Sequence, residues 1–543
     1  MLEIADRQSI GEVNRRLLFN YIQEYKAHFI GNYAITNKIR QTIYRHKLYS
    51  DTEWALSPDE ITKWECLLQG IEAKDPIQKY RWIFKDHHLE SLEIDRRDYD
   101  FPAIYKEQVR IRSNALREIY NTHGIAGIYE FTQQVECPLI VGETYAHICQ
   151  QNDFREIVNI AKQASDSLCQ FARGFFCSYA NHFGIQKFID EIGSLEFSDF
   201  EDGIREALTS IPTSKTVWQY VETLPEETKS YYWGHVSIGV SEKAEDNIFL
   251  INKLNDVHRH DKSIYIIHHL LKLQSIPSRL IVDTIMNMLS YPSVSGVGHK
   301  YELAEVIIAL DKRKDVDTKK LFFIEFIFYK LLKHYGHSVD IRLIDELMSH
   351  PQSLMDILNF MYLSSDPAER EIELKKTIQK GEQIYARLAF DLLWDLRRTP
   401  CVDQAYIIDE DNLKKYILEL RELGEKAHKL EHIDSTIGKL LANYPEIEEY
   451  PPKAICEIIE DLNNPNVNSG FRMRIFNKRG VTVRPAGEGG NLEKAESLKY
   501  KQYADKVRFS YPVIAGIFDN LSAEYQDMSI KEDKRTKIEK MEY

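Results

Sequence analysis

Apolar positions recur along this chain at the three- and four-residue spacing of a helix face, and the spacing persists for about 460 residues before it breaks. Leu280, Ile281, Thr284, Ile285 and Met288 fall on one such face, and Leu303, Val306, Ile307 and Leu310 on another. Helix starts are marked too. Ser57-Pro58-Asp59-Glu60 is a capping box with proline at the first helical position, where a missing N–H costs nothing. The same spacing returns at Asp153–Glu156, Ser198–Glu201, Thr223–Glu226 and Asp366–Glu369, each predicting a side-chain oxygen on the free N–H groups and a glutamate reaching back. Pro138, Pro212, Pro277, Pro292, Pro351 and Pro400 separate many of the segments.

The pattern predicts an all-α fold. Short amphipathic helices in succession suggest an irregular α-solenoid, each helix pair burying its face on the next. The boxes share no common spacing and no tetratricopeptide or ankyrin consensus repeats, so the repeats are degenerate. Three regions follow: an N-terminal helical segment over 1–110, a solenoid body over 111–350, and a C-terminal helical domain over 351–543 with a long charged helix near 403–430. The densest apolar run, Leu321 to Leu332, is too short and interrupted to span a bilayer and predicts one helix buried on most sides. Ser529 to Lys540 is mostly charged and predicts a frayed closing helix.

The break comes at Ser469 to Gly490, which holds five of the chain's 24 glycines and five basic residues. Phe471, Met473 and Ile475 alternate with Arg472, Arg474 and Phe476, close to a period of two. The stretch is therefore expected as a Gly/Arg-rich loop or short hairpin turning at Asn477 to Gly480 within a C-terminal helical cap. Arg472, Arg474, Lys478, Arg479 and Arg484 are the candidate contact residues, because guanidinium forks pair bidentately with carboxylate or phosphate. Two readings stay open: contact with a phosphate or acidic partner, or packing on Glu446, Glu448 and Glu449. The segment is expected to pack on helices at about 452–463 and 492–509, anchored by Phe471, Ile475 and Val481, with Asn491 capping the latter.

A net charge of −14 over 543 residues favours packing and argues against a protein devoted to gripping duplex backbone or an anionic membrane. Seven scattered cysteines without a CxxC predict free thiols in a reducing compartment, and with no apolar leader in the first residues they place the chain in the cytoplasm.

Local chemistry is sparse. His258, His260, His268 and His269 lie close in sequence, but neighbours on a helix diverge by about 100°, and no HExxH or zinc spacing occurs. Asp256 to Ser263 reads as a turn between helices. Ser295 to Lys300 superficially resembles a phosphate loop, yet lacks the glycine spacing, carries Tyr301 in place of the Mg²⁺-binding hydroxyl and follows no strand. No nucleophile elbow is present. No metal, cofactor or catalytic residue is assigned; an enzyme with a dispersed active site would leave no local signature.

Gly470 to Gly490 with Glu493 and Tyr503-Ala504, together with Glu72 to Phe84 and Gly124 to Gly142, resembles the C-terminal helical-repeat region of large bacterial defence-associated proteins, STAND-ATPase-like or antitoxin-like in their multidomain layout. The resemblance implies a helical region without its upstream module, as a fragment or split-gene product. It implies a non-enzymatic sensor or adaptor whose partner is a phage or host protein, or an upstream effector or ATPase. With no Walker motif, no ATPase or nuclease residue carries over. Nucleic-acid binding through 470–484 is the alternative.

Overall fold

A computed structural model describes residues 12–87, 89, 100–162, 165–273, 275–290, 299–336, 341–380, 383–447, 450–480 and 488–539. Among them the chain is all-α, with no strand; an isolated antiparallel bridge joins Val402 to Ile408. Where the sequence draws three regions, the contacts divide the chain once, into Met1–Val257 and His258–Tyr543.

In the first unit Asp166–Phe183 packs on Pro138–Tyr145 and on Phe197–Ser210, which packs in turn on Glu226–His235. Its core is aromatic: Tyr145, Phe154, Phe171, Phe175, Phe176 and Phe188 are buried and meet in a web of edge and tilted contacts. Pro138–Tyr145 and Asp166–Phe183 cross backbone to backbone. A Cβ on Gly142 would lie 1.9 Å from the Phe171 carbonyl oxygen, and one on Gly174 2.1 Å from that of Leu139.

The second unit shows the same rhythm. Ser278–Ser290 meets Thr318–Ile327, which meets Arg342–Ser349; Pro351–Met361 meets Gln383–Asp395 and Glu410–Lys426. It also has a backbone crossing, Leu430–Leu441 over Pro465–Lys478. A Cβ on Gly438 would lie 2.0 Å from the Val467 carbonyl oxygen, and one on Gly470 2.0 Å from that of Ser435.

The Gly/Arg expectation is corrected here. Residues 469–478 are neither loop nor hairpin but the last part of the helix Pro465–Lys478. Asn464 starts it, its Oδ1 accepting from the Asn466 and Val467 N–H groups, with Pro465 at the first position. Gly470 marks close approach, and Val467, Phe471 and Ile475 form a buried four-residue repeat that alternating arginines disguise. The helix packs chiefly on Leu430–Leu441, and also on Lys453–Leu462 and Pro512–Glu539. Asn491 does not cap: it is the first helical residue after Gly490, and its amide donates to the Glu488 carbonyl at 3.0 Å. Val481 and Arg484 lie outside the described residues, as do Glu448, Glu449 and Ser295–Gly298.

Other expectations shift for local reasons. The Ser57 box forms completely, and Asp366 Oδ1 accepts from the Ala368 and Glu369 N–H groups at 3.0 Å. Asp153 instead sits inside its helix, where its buried carboxylate accepts from the Tyr145 hydroxyl and the Gln150 N–H at 2.6 Å each. Ser198 falls within Phe197–Ser210, and Glu226–His235 starts after Pro225 rather than from Thr223. The apolar run is two helices, Thr318–Ile327 and Tyr329–His334, broken at Phe328. The charged helix begins later than expected, at Glu410–Lys426, after the bridged turn at 402–408. The closing helix runs unbroken as Pro512–Glu539, with Ser529 buried and Asp533 Oδ1 accepting from the Gly490 N–H at 2.8 Å.

Candidate ligand cleft

The second crossing opens on a cleft. Gln383–Asp395 buries Ala389 and Leu392 inward and carries Phe390 and Trp394 four residues apart on an outer stripe. Those rings stack with centroids 6.0 Å apart, yet remain 51% and 54% exposed; Met473 on the facing helix is 49% exposed. With Leu393, Leu396, Met361, Tyr362 and Leu440 they line a cavity of about 260 Å³. Its polar lining is Thr436, Lys439, Asn443, Arg474 and Asn477.

The five sequence candidates separate. Arg472 pairs with Glu524 at 3.0 Å on the surface, and Arg479 pairs with the buried Glu493 at 2.9 Å. Arg474 turns into the cleft: Nε donates to Asn443 Oδ1 at 2.6 Å, Nη1 to the Trp394 carbonyl at 3.3 Å and Nη2 to that of Leu396. Lys478 Nζ donates to the Tyr444 carbonyl at 2.8 Å. The acidic stretch meets other partners; Glu446 pairs with Lys499 at 3.2 Å.

Arg474 and Lys478 therefore hydrogen-bond neutral oxygens, with no ion pair among the described residues. Burial, with Arg397 adding to it, pushes the Arg474 guanidinium down to about 10, and burial pushes the Lys478 ammonium down to about 8. Lys439 was missed by the sequence reading. It stands on Leu430–Leu441 one residue after the close-packed Gly438, half-buried in the cleft, and makes no ion pair or hydrogen bond among the described residues. Burial, then the Arg474 charge, lowers its pKa. The cleft thus joins an apolar wall to cations that form no close ion pair among the described residues, with the Asp395 charge only partly offsetting the lowering at Arg474 and that of Glu446 the lowering at Lys478. The one sequence signal was the Phe390/Trp394 pair outside the buried stripe of its own helix.

Among the described residues no three His, Cys, Asp or Glu side chains are placed to hold a metal ion, and none of the seven cysteines is in a disulfide. No helix there is long and apolar enough to cross a membrane. Comparison with protein-family models, curated proteins and solved structures returned no match to this chain.

Proposed function

We propose that this chain is a non-enzymatic recognition or scaffold protein that binds a protein ligand through the cleft between Gln383–Asp395, Leu430–Leu441 and Pro465–Lys478. The observation that carries the reading is the exposed Phe390, Trp394 and Met473 beside the unpaired Lys439. Aromatic, methionine and arginine side chains around a small pocket, here Phe390, Trp394, Met473 and Arg474, are the composition of a protein-binding hot spot. The succession of helices packed on near neighbours agrees with a degenerate helical repeat, an architecture suited to protein partners. The resemblance to defence-associated proteins makes the partner a phage or host protein, or an upstream effector or ATPase, in an antiphage or regulatory assembly.

Affinity capture from infected and mock-infected cells tests it, with wild type beside the Trp394→Ser/Met473→Ser double variant. A protein retained from infected cells by wild type and lost by the variant is expected. Equal retention by both, or none by either, overturns it.

A second reading, contact with nucleic-acid phosphates through 470–484, draws on Arg474 and Lys478, whose hydrogen bonds leave their charges unneutralised. It requires binding that weakens steeply with salt and on joint replacement of Arg472, Arg474, Lys478 and Arg479.

A further inference from the structure

We infer that the cleft takes the C-terminal residue of a partner polypeptide, a bulky apolar side chain against Phe390, Leu393, Trp394 and Met473 with its free carboxylate on Lys439 and Arg474. The inference rests on the reading of this cleft as the recognition site and specifies the chemistry recognised there.

Three features of the cleft select that ligand. The first is size. A cavity of about 260 Å³ lies at or below the lower end of small-molecule sites, so it suits one side chain rather than a nucleotide or extended cofactor. The second is the donor set. The Lys439 ammonium has all three of its N–H groups uncommitted among the described residues. Arg474 commits three N–H groups to Asn443, Trp394 and Leu396, which fixes its plane and leaves two of the five a guanidinium carries. One ammonium and a partly used, immobilised guanidinium match a two-oxygen monoanion; a phosphate dianion would call for more donors in so apolar a wall. Lys439 adds a charge at a half-buried position, where a carboxylate would relieve the repulsion between it and Arg474.

The third feature decides between a polypeptide end and a free small acid. The apolar surface does not stop at the cavity. Phe390, Trp394 and Met473 are about half exposed around its mouth. The residues preceding a terminal apolar residue would cover that rim, whereas a small acid would leave it in water. Capture of a terminal carboxylate by fixed donors is an established mode of peptide recognition.

Calorimetric titration tests this with a pentapeptide ending in phenylalanine, as free acid and as C-terminal amide, and with N-acetylphenylalanine. Wild type is expected to bind the free acid at least about tenfold more tightly than the amide, and more tightly than N-acetylphenylalanine. Lys439→Met, which keeps the apolar stem, is expected to remove the preference of acid over amide, and Lys439→Arg to retain it; unchanged melting curves confirm that both fold. Equal affinity for acid and amide in wild type overturns the inference, as does N-acetylphenylalanine binding as tightly as the peptide. If no peptide binds while protein capture still depends on Trp394 and Met473, the terminal-carboxylate inference is wrong and the recognition reading stands.

Discussion

The two units solve one packing problem in the same way and finish it differently. Each crosses a pair of helices so closely that glycines touch the facing backbone, Gly142 and Gly174 in the first, Gly438 and Gly470 in the second. In the first, rings close over the crossing: Tyr145, Phe171 and Phe175 are fully buried, and the Tyr145 hydroxyl is satisfied by Asp153. In the second, Phe471 and Ile475 fill the inner side, but the outer side meets half-exposed Phe390, Trp394 and Met473 and two cations, Lys439 and Arg474, that form no ion pair among the described residues. Closing both sides yields a core. Leaving one side open, with Lys439 and Arg474 outside any ion pair among the described residues, is what the proposed recognition site rests on.

The inner sides should respond alike. Phe175→Ala and Phe471→Ala each remove a fully buried ring and should destabilise by about 3–5 kcal/mol, read as a lowered thermal midpoint. A clear excess for Phe175 would mean that the second crossing is loosely packed and the comparison fails.

The arginines of the second crossing sharpen the contrast between core and surface. Arg479→Gln removes an ion pair of Glu493, whose side chain is 1% exposed, and should cost ~3 kcal/mol. Arg472→Gln breaks a pair 45% and 40% exposed and should cost under about 1 kcal/mol, diminishing with salt. Similar losses in denaturant titrations would contradict the division of this segment into structural and surface cations.

Alanine at Gly174 or Gly470 drives a Cβ to within about 2 Å of a backbone carbonyl and should cost roughly 1–3 kcal/mol. Their consequences should part company: Gly470→Ala displaces the helix carrying Arg474 and weakens the cleft's ligand, and Gly174→Ala leaves ligand affinity unchanged. Titrating both variants under conditions where each remains folded checks this.

An effect read as a slope against pH rather than as a single loss concerns Glu325, buried near Asp311 with its Oε2 accepting from the Leu343 N–H at 2.6 Å. Burial, then the hydrogen bond and charge of Asp311, raises it to about 9, against Arg342. The folded state binds this proton more tightly than the unfolded state. Its contribution is therefore intact below the ordinary glutamate value of 4.5 and is lost as pH rises toward about 9, by at most about 1.4 kcal/mol per pH unit. Glu325→Gln should flatten that part of the stability profile; an unchanged slope would assign it to other groups.

The all-α fold was legible because helical apolar spacing is redundant: Leu303, Val306, Ile307 and Leu310 are all buried, as their spacing requires. Helix starts were less legible. Asp153 satisfies the buried Tyr145 instead of capping, a choice made by tertiary packing. The Gly/Arg segment misled because glycine reads as a breaker along the sequence, while Gly470 is a contact point in space. Arg474 was legible as a cation but its cleft was not. Lys439, Phe390 and Trp394 come from other helices, and only folding brings them together.

Site-specific photo-crosslinking tests the central claim, that the open side of the second crossing is where a partner binds. A benzophenone amino acid replaces Met473 at the cleft or Tyr301, which is similarly exposed and lies outside the cavity lining. In extracts of infected cells the Met473 position should yield a discrete crosslinked protein, competed by the phenylalanine-terminated peptide, and the Tyr301 position should not. Crosslinking at Tyr301 alone, or at both positions without competition, would contradict the account.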